Sequence, residues 1–186
     1  MENKTRCAWC EKDDLYRNYH DNEWGNPVYD DATIFEFLIL ETFQAGLSWY
    51  TVLAKRENFR KAFDNFDLMK IANYSEDKMD ALAEDAGIIR NKLKIKATVT
   101  NAQAFIKVQE EFGSFSKYIW GFVDGKPIDN KPKTLNEVKA TTPISDALSK
   151  DLKKRGFKFV GSTVMYAHMQ ATGMVNDHIL ECHTRK

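Results

Sequence analysis

The sequence predicts an all-α protein. Three observations carry that expectation. Apolar residues recur at helical spacing, few segments alternate with period two over a useful length, and glycines stand where the periodic stretches stop. With 186 residues, 43% hydrophobic and 29% charged, the chain suits a single unit with its own core, laid out as two helical lobes.

Each element follows from local signals. Asp30 or Asp31 is placed to cap a helix over "ATIFEFLILETFQ", which Gly46 ends. Ser48 caps the next, "WYTVLAKRENFRKAF", and Ser75 opens "EDKMDALAEDA", stopped by Gly87. Lys92 to Phe112 reads as one long amphipathic helix with Gly113 behind it. The stretch "DGKPIDNKPK", rich in Pro, Gly and Asn, is the clearest loop. Thr142 followed by Pro143 starts a helix to Arg155, because proline suits the first helical position. The chain turns through "GFKFVG", resumes as a helix from Ser162 to Thr172, and a last helix follows Gly173.

Composition narrows the function classes. No apolar run approaches the length of a bilayer span, and Met1 to Arg6 is too polar for a signal peptide, so no membrane partner is expected. Three cysteines, an odd number, argue against a disulfide framework and for a reducing, cytoplasmic setting. A net charge of zero counts mildly against a nucleic-acid binder, although binding needs only a local patch. "RNKLKIK" and "KDLKKRGFKF" are two such patches.

Metal-type ligands gather near both ends, in "CAWCEKDDLYRNYH" and "NDHILECH". On a helix His178 and Cys182 share one face. With Cys7 and His20 they make two thiolates and two imidazoles, the closed tetrahedral set that structural zinc uses. Such a site clamps the two ends together and contributes directly to folding. Cys10 and His183 compete as ligands, and spacing alone leaves the choice open.

A second constellation surrounds Glu41, a carboxylate within the apolar run "IFEFLILETFQAGLSW". Taking an unpaired carboxylate out of water costs several kcal/mol. Trp9, Tyr16, Tyr19 and Trp24 crowd the N-terminal segment, and Trp49 lies just past the Gly46 turn. Aromatic clusters are more often plain core. A carboxylate among rings is more pointed: flat rings sandwich a planar group, a cation gains from ring faces, and an anion offsets positive charge. A flipped-out, positively charged nucleobase meets all three conditions.

A third is "LSKDLKKRGFKFVGSTVMYAHMQATG", two helical stretches joined by a turn with Gly156 and Gly161. The second helix offers free N–H groups to a phosphate, and Lys153, Lys154, Arg155 and Lys158 add sequence-independent attraction to a DNA backbone. An ordinary αα-hairpin is the equal alternative.

Taken together, "RCAW", "YHDNEWG", "ETFQAGLSWYTVLAKRENFR", "DAGIIRNKLKI", "TPISDALSKDLKKRGFKFVGST" and "MVNDH" resemble the DNA-3-methyladenine glycosylase I family of the helix-hairpin-helix glycosylase superfamily. The matches run in order over nearly the whole chain. The resemblance implies a helix-hairpin-helix fold with the hairpin at about residues 145–173, its termini joined by structural zinc. It implies a monofunctional, monomeric hydrolase that acts on alkylated double-stranded DNA and releases free 3-methyladenine. It selects Cys7, His20, His178 and Cys182 as zinc ligands, Glu41 as the base-recognising acid, and Trp9, Tyr16, Tyr19 and Trp49 as the pocket. Many relatives with this hairpin carry an aspartate beyond the second helix. Aligning "VNDHI" with their pattern puts Asn176 there instead, with Asp177 adjacent. Two rival readings are a zinc-stabilised DNA-binding module without catalysis, which leaves Glu41 without purpose, and a small-molecule enzyme or sensor, which the hairpin lysines disfavour.

Overall fold

The computed structural model describes residues 4–185, so the polar start from Met1 to Arg6 lies partly outside the described residues and Lys186 wholly so. Among them, helices dominate: α1 (Asp14–Asn22), α2 (Asp31–Gln44), α3 (Trp49–Leu53), α4 (Arg56–Ala62), α5 (Leu68–Ala72), α6 (Glu76–Glu84), α7 (Lys92–Phe112), α8 (Phe115–Trp120), α9 (Pro143–Lys154) and α10 (Ser162–Ala171). Strand is confined to one two-residue parallel pair, β1 (Ile128–Asp129) beside β2 (Val175–Asn176), with Ile128 opposite Val175. None of these helices is long and apolar enough to cross a membrane.

The capping logic operates as the residues dictate. Asp30 accepts from the Thr33 backbone N–H at 2.8 Å and starts α2. Its neighbour Asp31 reaches away instead, accepting from the N–H groups of Phe115 and Ser116 at 2.8 Å each, and so ties the start of α8 to the start of α2. Ser48, Ser75 and Thr142 cap α3, α6 and α9, and Thr142 forms a capping box with Ser145.

Two expected elements differ. The stretch from Trp49 is not one helix: it breaks between Leu53 and Arg56. The break accompanies the inward placement of Arg56, which is buried between Glu36 (2.6 Å) and Glu23 (2.5 Å). No helix follows Gly173 either. The backbone there pairs with β1, Ile128 N–H to Met174 O at 2.9 Å and Asn130 N–H to Asn176 O at 3.2 Å, and continues as turns. The "DGKPIDNKPK" loop thus supplies the partner that satisfies this backbone in place of helical bonds.

α2 is the centre of the molecule. Ile34, Phe35, Phe37, Leu38, Ile39, Leu40, Thr42 and Phe43 are all buried, so the helix is covered on every side rather than along one stripe. Phe35 meets Phe105 of α7 edge-on at 5.1 Å, and Phe105 stacks on Phe115 of α8 at 3.9 Å. A smaller apolar cluster of Cys7, Tyr19, Trp24, Phe37, Leu53, Ala171 and Cys182 sits beside the main one, and Trp49 packs against both. α7 holds two loops from beneath. Buried Lys94 donates to the carbonyls of Phe43 (2.8 Å) and Ala45 (2.5 Å) at the end of α2. Asn101, two turns further on, takes the Lys158 backbone at both its N–H (2.7 Å) and its C=O (3.1 Å).

Candidate active site

Because α2 is buried all round, Glu41 is almost wholly withdrawn from solvent: it is 2% exposed. Among the described residues its Oε2 has no hydrogen-bond partner and no cation compensates it, so burial pushes its carboxyl well above the usual carboxylate range. It lines a cavity of about 200 Å³ with Trp9, Tyr16, Tyr19, Trp24, Gln44, Trp49, Leu135, Val138, Ala167 and Gln170. The structure therefore places Glu41, Trp9, Tyr16, Tyr19 and Trp49 around one space. Gln44, Leu135, Val138, Ala167 and Gln170 are additions that sequence reasoning did not single out.

The rings form a continuous wall. Trp9 lies 4.9 Å from Tyr16 and 5.0 Å from Trp24, and Tyr19 lies 5.4 Å from Trp49. Burial, with the Glu41 carboxyl nearby, pushes the Tyr16 phenol up to about 12 and also raises the Tyr19 phenol well above its ordinary value, so both stay protonated. The indole Nε1 of Trp49 is buried without a partner among the described residues. The cavity thus holds an unsatisfied acceptor and an unsatisfied donor among flat apolar faces. A planar ligand with polar edges and positive charge is the chemistry that would satisfy it. Among the described residues, Glu41 is the only acid lining this space, and no lysine does.

The two residues considered for a catalytic acid beyond α10, Asn176 and Asp177, have other partners. Asp177 is buried and accepts from Asn130 Nδ2 (2.7 Å), Tyr166 OH (2.7 Å) and Gln170 Nε2 (2.8 Å). Asn176 Oδ1 meets the His178 backbone N–H at 3.2 Å and His178 Nδ1 at 3.0 Å.

Cys7, His20 and Cys182 bring their ligand atoms within 4.8 Å of one another, a group that could hold a metal ion. His178 lies outside that tight group and on no helix, with its ring 4.9 Å from that of His20. Its Nδ1 faces Asn176, while Nε2 is buried and unpartnered. His20 repeats the pattern: Nδ1 lies 2.8 Å from Asp21, itself held by Arg6, and Nε2 lies 3.5 Å from Cys182 Sγ. In both histidines the outer nitrogen is fixed and the inner one remains for a ligand, the arrangement a metal site needs. Gly25 makes room for it, since a Cβ there would stand 2.6 Å from His178 Cε1. Of the competing ligands, Cys10 Sγ points to the Cys7 carbonyl (3.1 Å) and His183 Nδ1 to the Thr5 carbonyl (3.0 Å).

On the hairpin, Lys153, Lys154 and Lys158 are exposed, Gly156 turns at φ +96°, and Gly161 precedes α10 with no side chain capping the helix. Arg155 departs from the expected role. Its guanidinium binds Asp151 and Glu111 at 2.7 Å each and lies over the rings of Phe112 and Tyr118. Tyr118 OH also donates to Asp151 at 2.8 Å, so the arginine is committed to an internal network rather than left free for phosphate.

Comparison with known proteins agrees with this geometry. The model of the methyladenine glycosylase family matches residues 9–186. The chain is 50% identical over 177 residues to DNA-3-methyladenine glycosylase 1 of Escherichia coli (strain K12), covering 95% of each. A crystal structure of 3-methyladenine DNA glycosylase I, 49% identical, superposes with a TM-score of 0.94 over 98% of this chain and 100% of that one. A tyrosine-to-phenylalanine variant of 3-methyladenine DNA glycosylase I in complex with 3-methyladenine, 36% identical, also reaches 0.94 over 97% of each chain. Matched over nearly its whole length in sequence and in shape, the chain belongs to the methyladenine glycosylase family.

Proposed function

We propose that this chain is a DNA repair glycosylase that hydrolyses the N-glycosidic bond of 3-methyladenine in alkylated duplex DNA. The observation that carries the reading is Glu41: a buried, uncompensated carboxyl facing a cavity walled by Trp9, Tyr16, Tyr19 and Trp49. A purine methylated at N3 within DNA carries a positive charge and is a good leaving group. Flipped into the cavity, it places its flat faces against the rings and its cationic, donor-bearing edge near Glu41. Burial raises the carboxyl's pKa when the site is empty, and the arriving cation favours its ionised form, because an opposite charge at short range favours the charged form. Unmodified adenine brings no charge and leaves this exchange unmade, which supplies discrimination.

In the reaction, water oxygen bonds to the sugar C1′ and the C1′–N bond breaks with its electron pair passing to the purine. That pair cancels the ring's charge, a proton leaves to solvent, and free 3-methyladenine and an abasic site result. Since Asp177 is held by three donors and Asn176 orients His178, neither is free to act as an acid or base on the sugar. The enzyme relies on the lability of its substrate. Among the described residues no lysine lines the cavity, which supports hydrolysis over Schiff-base chemistry. Lys153, Lys154 and Lys158 with the bare start of α10 are assigned to the DNA backbone.

Cys7, His20, His178 and Cys182 are assigned to a structural zinc ion, on the evidence of the inward-facing imidazole nitrogens and two buried thiols. Bound zinc supplies folding energy here and no step of the chemistry, because four protein ligands leave no open position. Incubating the protein with methylated duplex DNA and analysing the released bases tests the assignment. Free 3-methyladenine is expected; DNA binding without base release would instead favour a non-catalytic module.

A further inference from the structure

Gln170, on α10, lines the same cavity as Glu41 and has a direction imposed on it from behind. Its Nε2 donates to Asp177 Oδ2 at 2.8 Å. Asp177 is 1% exposed and is itself fixed by Tyr166 and Asn130. A carboxylate only accepts hydrogen bonds, so the amide cannot be reversed without setting oxygen against oxygen. The amino end of Gln170 is therefore held at Asp177, and its carbonyl Oε1 is the end left for the cavity.

We propose that Gln170 is a specificity-determining residue whose Oε1 accepts a hydrogen bond from the exocyclic amino group of the bound base, and that Asp177 is the positioning residue that sets this polarity. The inference rests on the glycosylase reading above and deepens it to the choice between purines. Adenine carries an amino group at the edge where guanine carries a carbonyl oxygen. A cavity that presents acceptors there pairs with the first. It confronts the second with an unmatched acceptor, a strong basis for rejection when both groups are buried. Asp177 thus acts on selectivity without touching the base.

The test uses the full chain and duplex DNA methylated to contain both 3-methyladenine and 3-methylguanine, with the release rate of each base measured. Wild-type protein is expected to favour 3-methyladenine. Gln170→Leu, close in size and unable to accept, is expected to slow 3-methyladenine release about tenfold and to narrow the preference by a similar factor. Asp177→Asn, which lets the Gln170 amide reverse, is expected to narrow it also; should that variant fail to fold, Gln170→Leu decides alone. A merely structural role would slow both bases together, and an unchanged ratio in Gln170→Leu overturns the proposal. Wild-type protein that releases neither base would overturn the glycosylase reading itself, and this inference with it.

Discussion

Glu41 is a residue the fold tolerates at a cost to its own stability. Its carboxyl is raised by burial, so between the ordinary carboxylate range and its own folded value the native state binds more protons than the unfolded chain. Stability contributed by this site is therefore lost as pH rises. Glu41→Gln removes that dependence. Thermal melts of the two proteins should coincide near pH 4 and separate by pH 8 with the variant the more stable, each kcal/mol appearing as about 2–4 °C in a chain of this size. A variant that melts below wild type at pH 8 would mean the acid is compensated after all. Glu41 was legible in the sequence because nearly every neighbour in its run is apolar. Gln170 was not: a glutamine on a helix is unremarkable until Asp177 is found 2.8 Å behind it. Its partner lies in a segment whose path the sequence misassigned.

At the scale of elements, the helices were readable because their caps are local. Asp30, Ser48, Ser75, Thr142 and Gly113 act on residues within a turn of themselves. The segment after Gly173 was not, because what stabilises it lies far away in sequence, at Ile128 and Asn130. The hairpin shows the same divide between composition and context. Lys153, Lys154 and Arg155 look alike as a basic run, yet only the arginine has Glu111, Asp151, Phe112 and Tyr118 around it. Replacing Lys153 and Lys154 together by Ala should weaken DNA binding uniformly across sequences and reduce the salt slope by about 2, with the melting temperature unchanged. Arg155→Ala should do the reverse, lowering stability by about 1 kcal/mol with little change in salt slope. Filter-binding titrations over a salt series, paired with melts, separate the two outcomes.

For the molecule as a whole, the N- and C-terminal segments meet at Cys7, His20 and Cys182, with the His178 ring 4.9 Å from that of His20, next to the aromatic wall that Trp9 and Trp24 share with both sites. If the proposed zinc is bound there, removing it should loosen the aromatic cavity along with the terminal segments. Elemental analysis is expected to find about one zinc per chain. Cys10→Ala and His183→Ala should retain it, whereas His178→Ala should lose it and melt at a lower temperature. Retention of full occupancy by His178→Ala would remove that residue from the ligand set. The central claim concerns charge matched to charge in a buried space, and base release by wild type and Glu41→Gln measures it most directly. On methylated duplex DNA, wild type should liberate 3-methyladenine. The variant, folded and at least as heat-stable at pH 8, should do so about 10- to 150-fold more slowly, the loss of one charge-assisted hydrogen bond. Equal rates for the two proteins would contradict it.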